Sequence, residues 1–109
     1  MDLPDFHPNK WPWVESLLQT PIEDHRKFIV WRIIAPYLIN IKKLSYDEAF
    51  DKIKNWLNEC SKMRPLVFDV NRGIKDNLKA ALKVGYLPIS LNDLKEENRE
   101  LYDSILIRY

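Results

Sequence analysis

Arg26, Lys27, Arg32, Tyr37 and Asn40 sit in one short stretch, Arg26-Lys27-Phe28-Ile29-Val30-Trp31-Arg32-Ile33-Ile34-Ala35-Pro36-Tyr37-Leu38-Ile39-Asn40, that is otherwise apolar on nearly every side of a helical wheel. These are groups that hold phosphate oxygens. A guanidinium offers paired N–H donors in a fixed fork, an ammonium a point charge, and an amide two further donors. At about 100° per residue, Arg26, Ile33, Tyr37 and Asn40 fall within one roughly 60° stripe. A cation, a phenol and an amide would then line one open edge of a central helix, a row suited to a phosphorylated ligand. A second reading also fits these residues. Arg32 would pair with Asp24 or Glu48 at the rim of the core, and Asn40 would cap the helix in the left-handed conformation.

A second group of candidates lies further along the chain. Around Ile74, Leu78, Ala81 and Leu82, which share one apolar helical face, Arg72, Lys75, Lys79 and Lys83 fall within about 80° of one another on the opposite side. Such a stripe is a track for nucleic-acid phosphates, a subunit contact, or a solvated face partly neutralised by Asp76. Four tryptophans, Trp11, Trp13, Trp31 and Trp56, can stack on bases or fill the core. Trp56 falls with Ile53 and Leu57, which places it in the core.

Groups for autonomous catalysis are not evident. A nucleotidyl transferase needs closely spaced carboxylates to hold divalent metals, and the sequence has no Asp-x-Asp or Asp-x-Glu; Asp47-Glu48 serve better as acids in the first turn of a helix. His7, His25 and Cys60 have no zinc-binding spacing, and one cysteine cannot hold an iron–sulfur cluster. Cys60 belongs to the apolar face of its helix, so a buried, inert thiol is expected. Glycine-rich phosphate loops are absent. The expectation is a binding domain with no metal site and no intrinsic cofactor.

The elements that position these residues read as all-α. The chain of 109 residues is 46% hydrophobic and 30% charged, which suits one globular domain spanning 1–109, with 1–10 as an extended N-terminal segment. Its net charge of +1 means that any nucleic-acid site must be a local patch. A single cysteine fits a cytoplasmic protein, and no apolar run approaches the roughly 18 residues of a membrane span. A first helix is expected from about Pro12 to Leu18. Thr20-Pro21-Ile22-Glu23 reads as a capping box that launches the central helix, which Pro36 should kink. Ser45-Tyr46-Asp47-Glu48 is a second capping box, ahead of a face formed by Ala49, Ile53, Trp56, Leu57 and Cys60. A further helix closes at Gly85, Ser90-Leu91-Asn92-Asp93 opens a short helical turn, and Leu101, Tyr102, Ile105 and Leu106 mark the last helix. The sum is a compact bundle of about five helices.

The order and spacing of His7-Pro8, Trp13-Val14-Glu15, Thr20 to Asp24, Arg26, Ala35 to Asn40, Leu44 to Ala49, Trp56-Leu57 and Gly85 to Pro88 resemble PriX, the noncatalytic third subunit of archaeal eukaryotic-like DNA primase. A similar pattern occurs in the helix-bundle domain of archaeal plasmid primase-polymerases. The resemblance implies the fold of the C-terminal domain of the large primase subunit without its iron–sulfur cluster. It also implies a nucleoside triphosphate as ligand, with Mg²⁺ or Mn²⁺ held by the catalytic subunit, and the catalytic and large subunits as partners, with template DNA nearby. On that pattern Arg32 and Asn40 match a basic pair eight residues apart, Asn40 standing in place of lysine, so that Arg26 or Lys27 would supply the second cation and Tyr37 would meet the ribose or base. Arg72, Lys75 and Lys79 remain the candidates for nucleic acid. Two other readings stay open: a DNA-reading module built on Asn71, Arg72 and Lys75, and a bridging module with no nucleotide site.

Overall fold

Three side-chain caps fix where helices begin in the latter part of the chain. Ser45 Oγ accepts from the Glu48 amide at 3.2 Å while the Glu48 carboxylate accepts from the Ser45 amide, a complete reciprocal box. Asp69 accepts from the Arg72 amide and Ser90 from the Asp93 amide, each at 3.1 Å. The computed structural model describes residues 11–108. Among them are six helices and no strand: α1 (Pro12–Leu18), α2 (26–41), α3 (Tyr46–Met63), α4 (Val70–Val84), α5 (Leu91–Glu97) and α6 (Arg99–Arg108). The expected extended segment 1–10 lies outside the described residues.

α2 is the centre, as its composition predicts. Its residues Ile29, Val30, Ile33, Ile34, Leu38 and Ile39 are buried, and it touches α1, α3 and α4. α3 and α4 pair alongside it, and α5 pairs with α6. Burying an Ile or Leu side chain contributes about 1.5–3 kcal/mol, so a helix apolar all round is stable only in this position. Cys60 and Trp56 are buried on α3 as expected. Leu82 is a correction: it is 54% exposed, because the core-facing arc of α4 is narrower than the sequence grouping and centres on Ile74, Leu78 and Ala81.

The start of α2 is a second correction. It begins at Arg26, after His25 in the left-handed conformation (φ 59°), with no side-chain cap. Thr20 therefore caps nothing here, and its hydroxyl donates to the Ser16 carbonyl. Residues 21–25 stay irregular because Ile22 turns into the core and its amide donates to Cys60 Sγ at 3.4 Å. Burial of one isoleucine outweighs a local capping preference.

Pro36 is handled without a break in the helix. The backbone stays helical through it, and α2 widens into π-helical turns on either side, Val30–Ile34 and Tyr37–Ile41. Proline has no N–H for the carbonyls one turn earlier. Those carbonyls, of Trp31 and Arg32, accept instead from Tyr86 Oη at 2.8 Å and from the Ile89 amide at 3.0 Å. The strap 85–89 that follows α4 thus docks where Pro36 has freed the backbone. Gly85 (φ 75°) supplies the left-handed turn into it.

Candidate functional site

The expected row along α2 is divided by the structure. Arg26, the first member, is buried at 8% exposure. Its Nη1 donates to the carbonyls of Cys60 (3.2 Å) and Arg64 (2.6 Å), and its Nη2 to that of Pro65 (3.2 Å). The carbonyls of Arg64 and Pro65 lie just past the C-terminal end of α3 and that of Cys60, which also accepts the Arg64 amide at 3.2 Å, lies in its last turn, where the partial negative charge of the helix dipole collects. A charged fork placed there caps a helix from the side.

Tyr37 and Asn40 are also engaged with protein groups. Tyr37 is buried, and its hydroxyl donates to the Glu15 carboxylate, which lies 3.3 Å from Lys42 Nζ. Burial and the neighbouring carboxylate push the phenol above its ordinary pKa. Asn40 Nδ2 donates to the carbonyls of Ala81 (3.1 Å) and Tyr86 (2.7 Å), which ties α2 to the end of α4 and to the strap. Helix α2 runs on to Ile41, so Asn40 is not its C-cap. The stripe therefore does not form an open edge, because three of its four members, Arg26, Ile33 and Tyr37, are inside the core.

Lys27 and Arg32 remain on the surface side, on the same stretch of α2 as Trp31. Of the four tryptophans, Trp11, Trp13 and Trp56 are buried at 8%, 3% and 4%, whereas Trp31 is 46% exposed. The Arg32 guanidinium lies 5.2 Å from the Trp31 ring centroid and pairs with Glu97 at the end of α5. That partner replaces the expected Asp24 or Glu48. Asp24 is held by the His25 amide at 2.9 Å and lies 3.7 Å from Arg64, and Glu48 belongs to its capping box. Phe28 meets Trp31 edge to face at 6.1 Å. Lys27, Phe28 and Trp31 on α2 and Asn77 on α4 line a recess of about 380 Å³.

This recess offers aromatic faces, one cation and an amide, with the Arg32 guanidinium against the Trp31 ring outside the lining and the Lys27 ammonium 5.9 Å from the Phe68 ring centroid. Its chemistry suits a planar ring carrying an anionic tail: stacking on Trp31, with Lys27 and Arg32 at the anion. Phe28 and Asn77 were not candidates from the sequence, and Trp31 was only one of four tryptophans. The spacing Lys27–Trp31, four residues apart, is the signal that could have singled it out, since a lysine four residues from a tryptophan places both on one helical face. That face must reach water if the ammonium is to stay solvated.

Arg72, Lys75 and Lys79 are exposed on α4 as expected, and Lys83 follows them. They border a separate groove of about 770 Å³ whose other wall carries Tyr46 and Phe50 of α3. A cluster not visible in the sequence is Asp24, His25 and Glu100, with ligand atoms within 4.8 Å of one another. His25 Nε2 lies 2.5 Å from Glu100, which joins the start of α2 to the start of α6. These groups are already bonded to protein partners, and the cluster serves as an interhelical tie.

Comparison with known families gives a match over nearly the whole chain. The model of the family described as Primase X (PriX) covers residues 9–108. Among curated proteins none matches the chain.

Proposed function

The chain belongs to the Primase X family, and from that premise we propose that it acts as a noncatalytic primase subunit that holds the initiating nucleoside triphosphate at the Trp31 recess. One observation carries this reading: the exposed Trp31 carries the Arg32 guanidinium against its ring and shares a recess of about 380 Å³ with Lys27. In the proposed complex the base stacks on Trp31, Lys27 and Arg32 take phosphate oxygens, and Asn77 donates to the sugar or base edge. Arg32 exchanges the Glu97 carboxylate for a phosphate, one anion for another. Arg26, Tyr37 and Asn40 act on this site through the helix they hold in place.

The role follows from the chemistry of starting a chain. Joining two free nucleotides requires immobilising both, a loss of freedom that a primer spares the enzyme during extension. A subunit that holds the first triphosphate makes the encounter effectively unimolecular and contributes effective molarity without a catalytic group. The divalent metals and the second nucleotide belong to the catalytic subunit in this scheme, and the catalytic and large subunits are the partners.

The test is a titration of the chain with ATP and with adenosine, followed by tryptophan fluorescence and calorimetry. ATP binds more tightly than adenosine, and Arg32→Ala and Lys27→Ala each weaken ATP binding at least about tenfold while adenosine is little affected, since charge-assisted hydrogen bonds contribute about 1.5–3 kcal/mol each. Trp31→Leu weakens both ligands. Equal affinity for ATP and adenosine, or unchanged ATP affinity in folded Arg32→Ala, would refute the reading.

A further inference from the structure

The groove between α3 and α4 lies outside the nucleotide recess and has its own chemistry. Its wall on α3 is aromatic: Tyr46 and Phe50, one turn apart, are half-buried with ring centroids 6.2 Å apart and planes inclined at 34°. Its wall on α4 is basic, with Arg72, Lys75 and Lys79 all exposed. Two carboxylates, Asp69 and Asp76, also border it, and both are engaged. Asp69 caps the Arg72 amide at 3.1 Å, and Asp76 lies 3.8 Å from Arg72 Nε. Lys75 and Lys79 have no ion-pair partner among the described residues.

We propose that this groove seats single-stranded nucleic acid, with Tyr46 and Phe50 as the stacking wall and Lys75 and Lys79 as the phosphate contacts. Tyr46 and Phe50 pack partly against the core and also line the groove beside the lysines. Rings beside unpaired ammonium groups are the arrangement that takes unstacked bases on one side and the backbone on the other. A duplex keeps its bases stacked against one another and hides their faces, so it can use only the cations. The net charge of +1 confines the attraction to this patch and makes it sensitive to salt. Lys27 and Arg32 take no part in it, so this inference and the nucleotide reading stand or fall separately.

Fluorescence anisotropy of a labelled oligodeoxythymidylate, titrated with the full chain over a series of salt concentrations, tests the proposal. The double variant Lys75→Glu/Lys79→Glu should bind at least about tenfold more weakly, with a shallower salt dependence, since each lost phosphate contact removes about 0.7 from the logarithmic slope. Phe50→Leu keeps an apolar side chain on α3 and should weaken binding roughly fivefold without changing the salt slope. Lys52→Glu, in a different recess bordered by α1 and α3, should leave the affinity near that of the unmodified chain. The proposal is overturned if the unmodified chain does not bind, if Lys52→Glu costs as much as the groove variants, or if duplex DNA or polyglutamate competes as well as the single strand. Should Phe50→Leu fail to fold in a thermal melt, the lysine variants and the competition decide.

Discussion

Arg26 shows how a residue with ligand chemistry becomes structural once its surroundings are known. Three carbonyls at the end of α3 accept from its guanidinium, and its charge lies inside the protein with no carboxylate bonded to it. Removing it takes that donor from the part-buried carbonyls of Arg64 and Pro65, while Cys60 keeps the Arg64 amide. Arg26→Ala should therefore lower unfolding stability by about 1–3 kcal/mol, read from urea titrations followed by circular dichroism. Arg26→Lys should recover only part of that loss, because an ammonium cannot reproduce the fork. A loss below about 1 kcal/mol would return Arg26 to the list of residues free to meet a ligand. The same distinction separates Arg32, whose guanidinium is partly exposed against Trp31, from Asn40, whose amide is used up by two carbonyls.

The strap 85–89 is the element that gives α2 its shape. Pro36 frees two carbonyls, and Tyr86 and Ile89 take them, while Asn40 holds the Tyr86 carbonyl from the other side. Tyr86→Phe should cost about 1 kcal/mol and Asn40→Ala about 1–3 kcal/mol, the second more because it strands an acceptor in a partly buried position. In hydrogen exchange both variants should expose the Ile89 amide ahead of the α3 amides, since a strap loosened at either end opens locally before the core does. Unchanged protection at Ile89 would mean that the strap is held by its apolar contacts alone. Much of this architecture was legible beforehand. Ser45 with Glu48, Ser90 with Asp93, and Gly85 mark helix ends through bonds made within a few residues. The Thr20 box misled because its competitor, Ile22 meeting Cys60, is a contact 38 residues away. In the same way, an α2 apolar on nearly all sides did not disclose its open face. That face was decided by where α4, α5 and the strap came to rest, which left Trp31 uncovered and brought Glu97 to Arg32.

Taken whole, the molecule is a bundle with two recesses on either flank of α4. Asn77 contributes to the one at Trp31, and Arg72, Lys75 and Lys79 to the one at Tyr46 and Phe50. No helix among the described residues is long and apolar enough to cross a membrane. In the proposed role such a subunit would contribute placement, and placement of the first nucleotide would matter once per primer. The most direct measurement is therefore the separation of initiation from extension in the assembled primase carrying Arg32→Ala. Formation of the first dinucleotide should fall at least about tenfold, the loss expected when a charge-assisted contact to the triphosphate is removed, while extension of a preformed primer proceeds at the unmodified rate. An equal loss in both reactions, or no loss in either with the variant folded and assembled, would contradict the account.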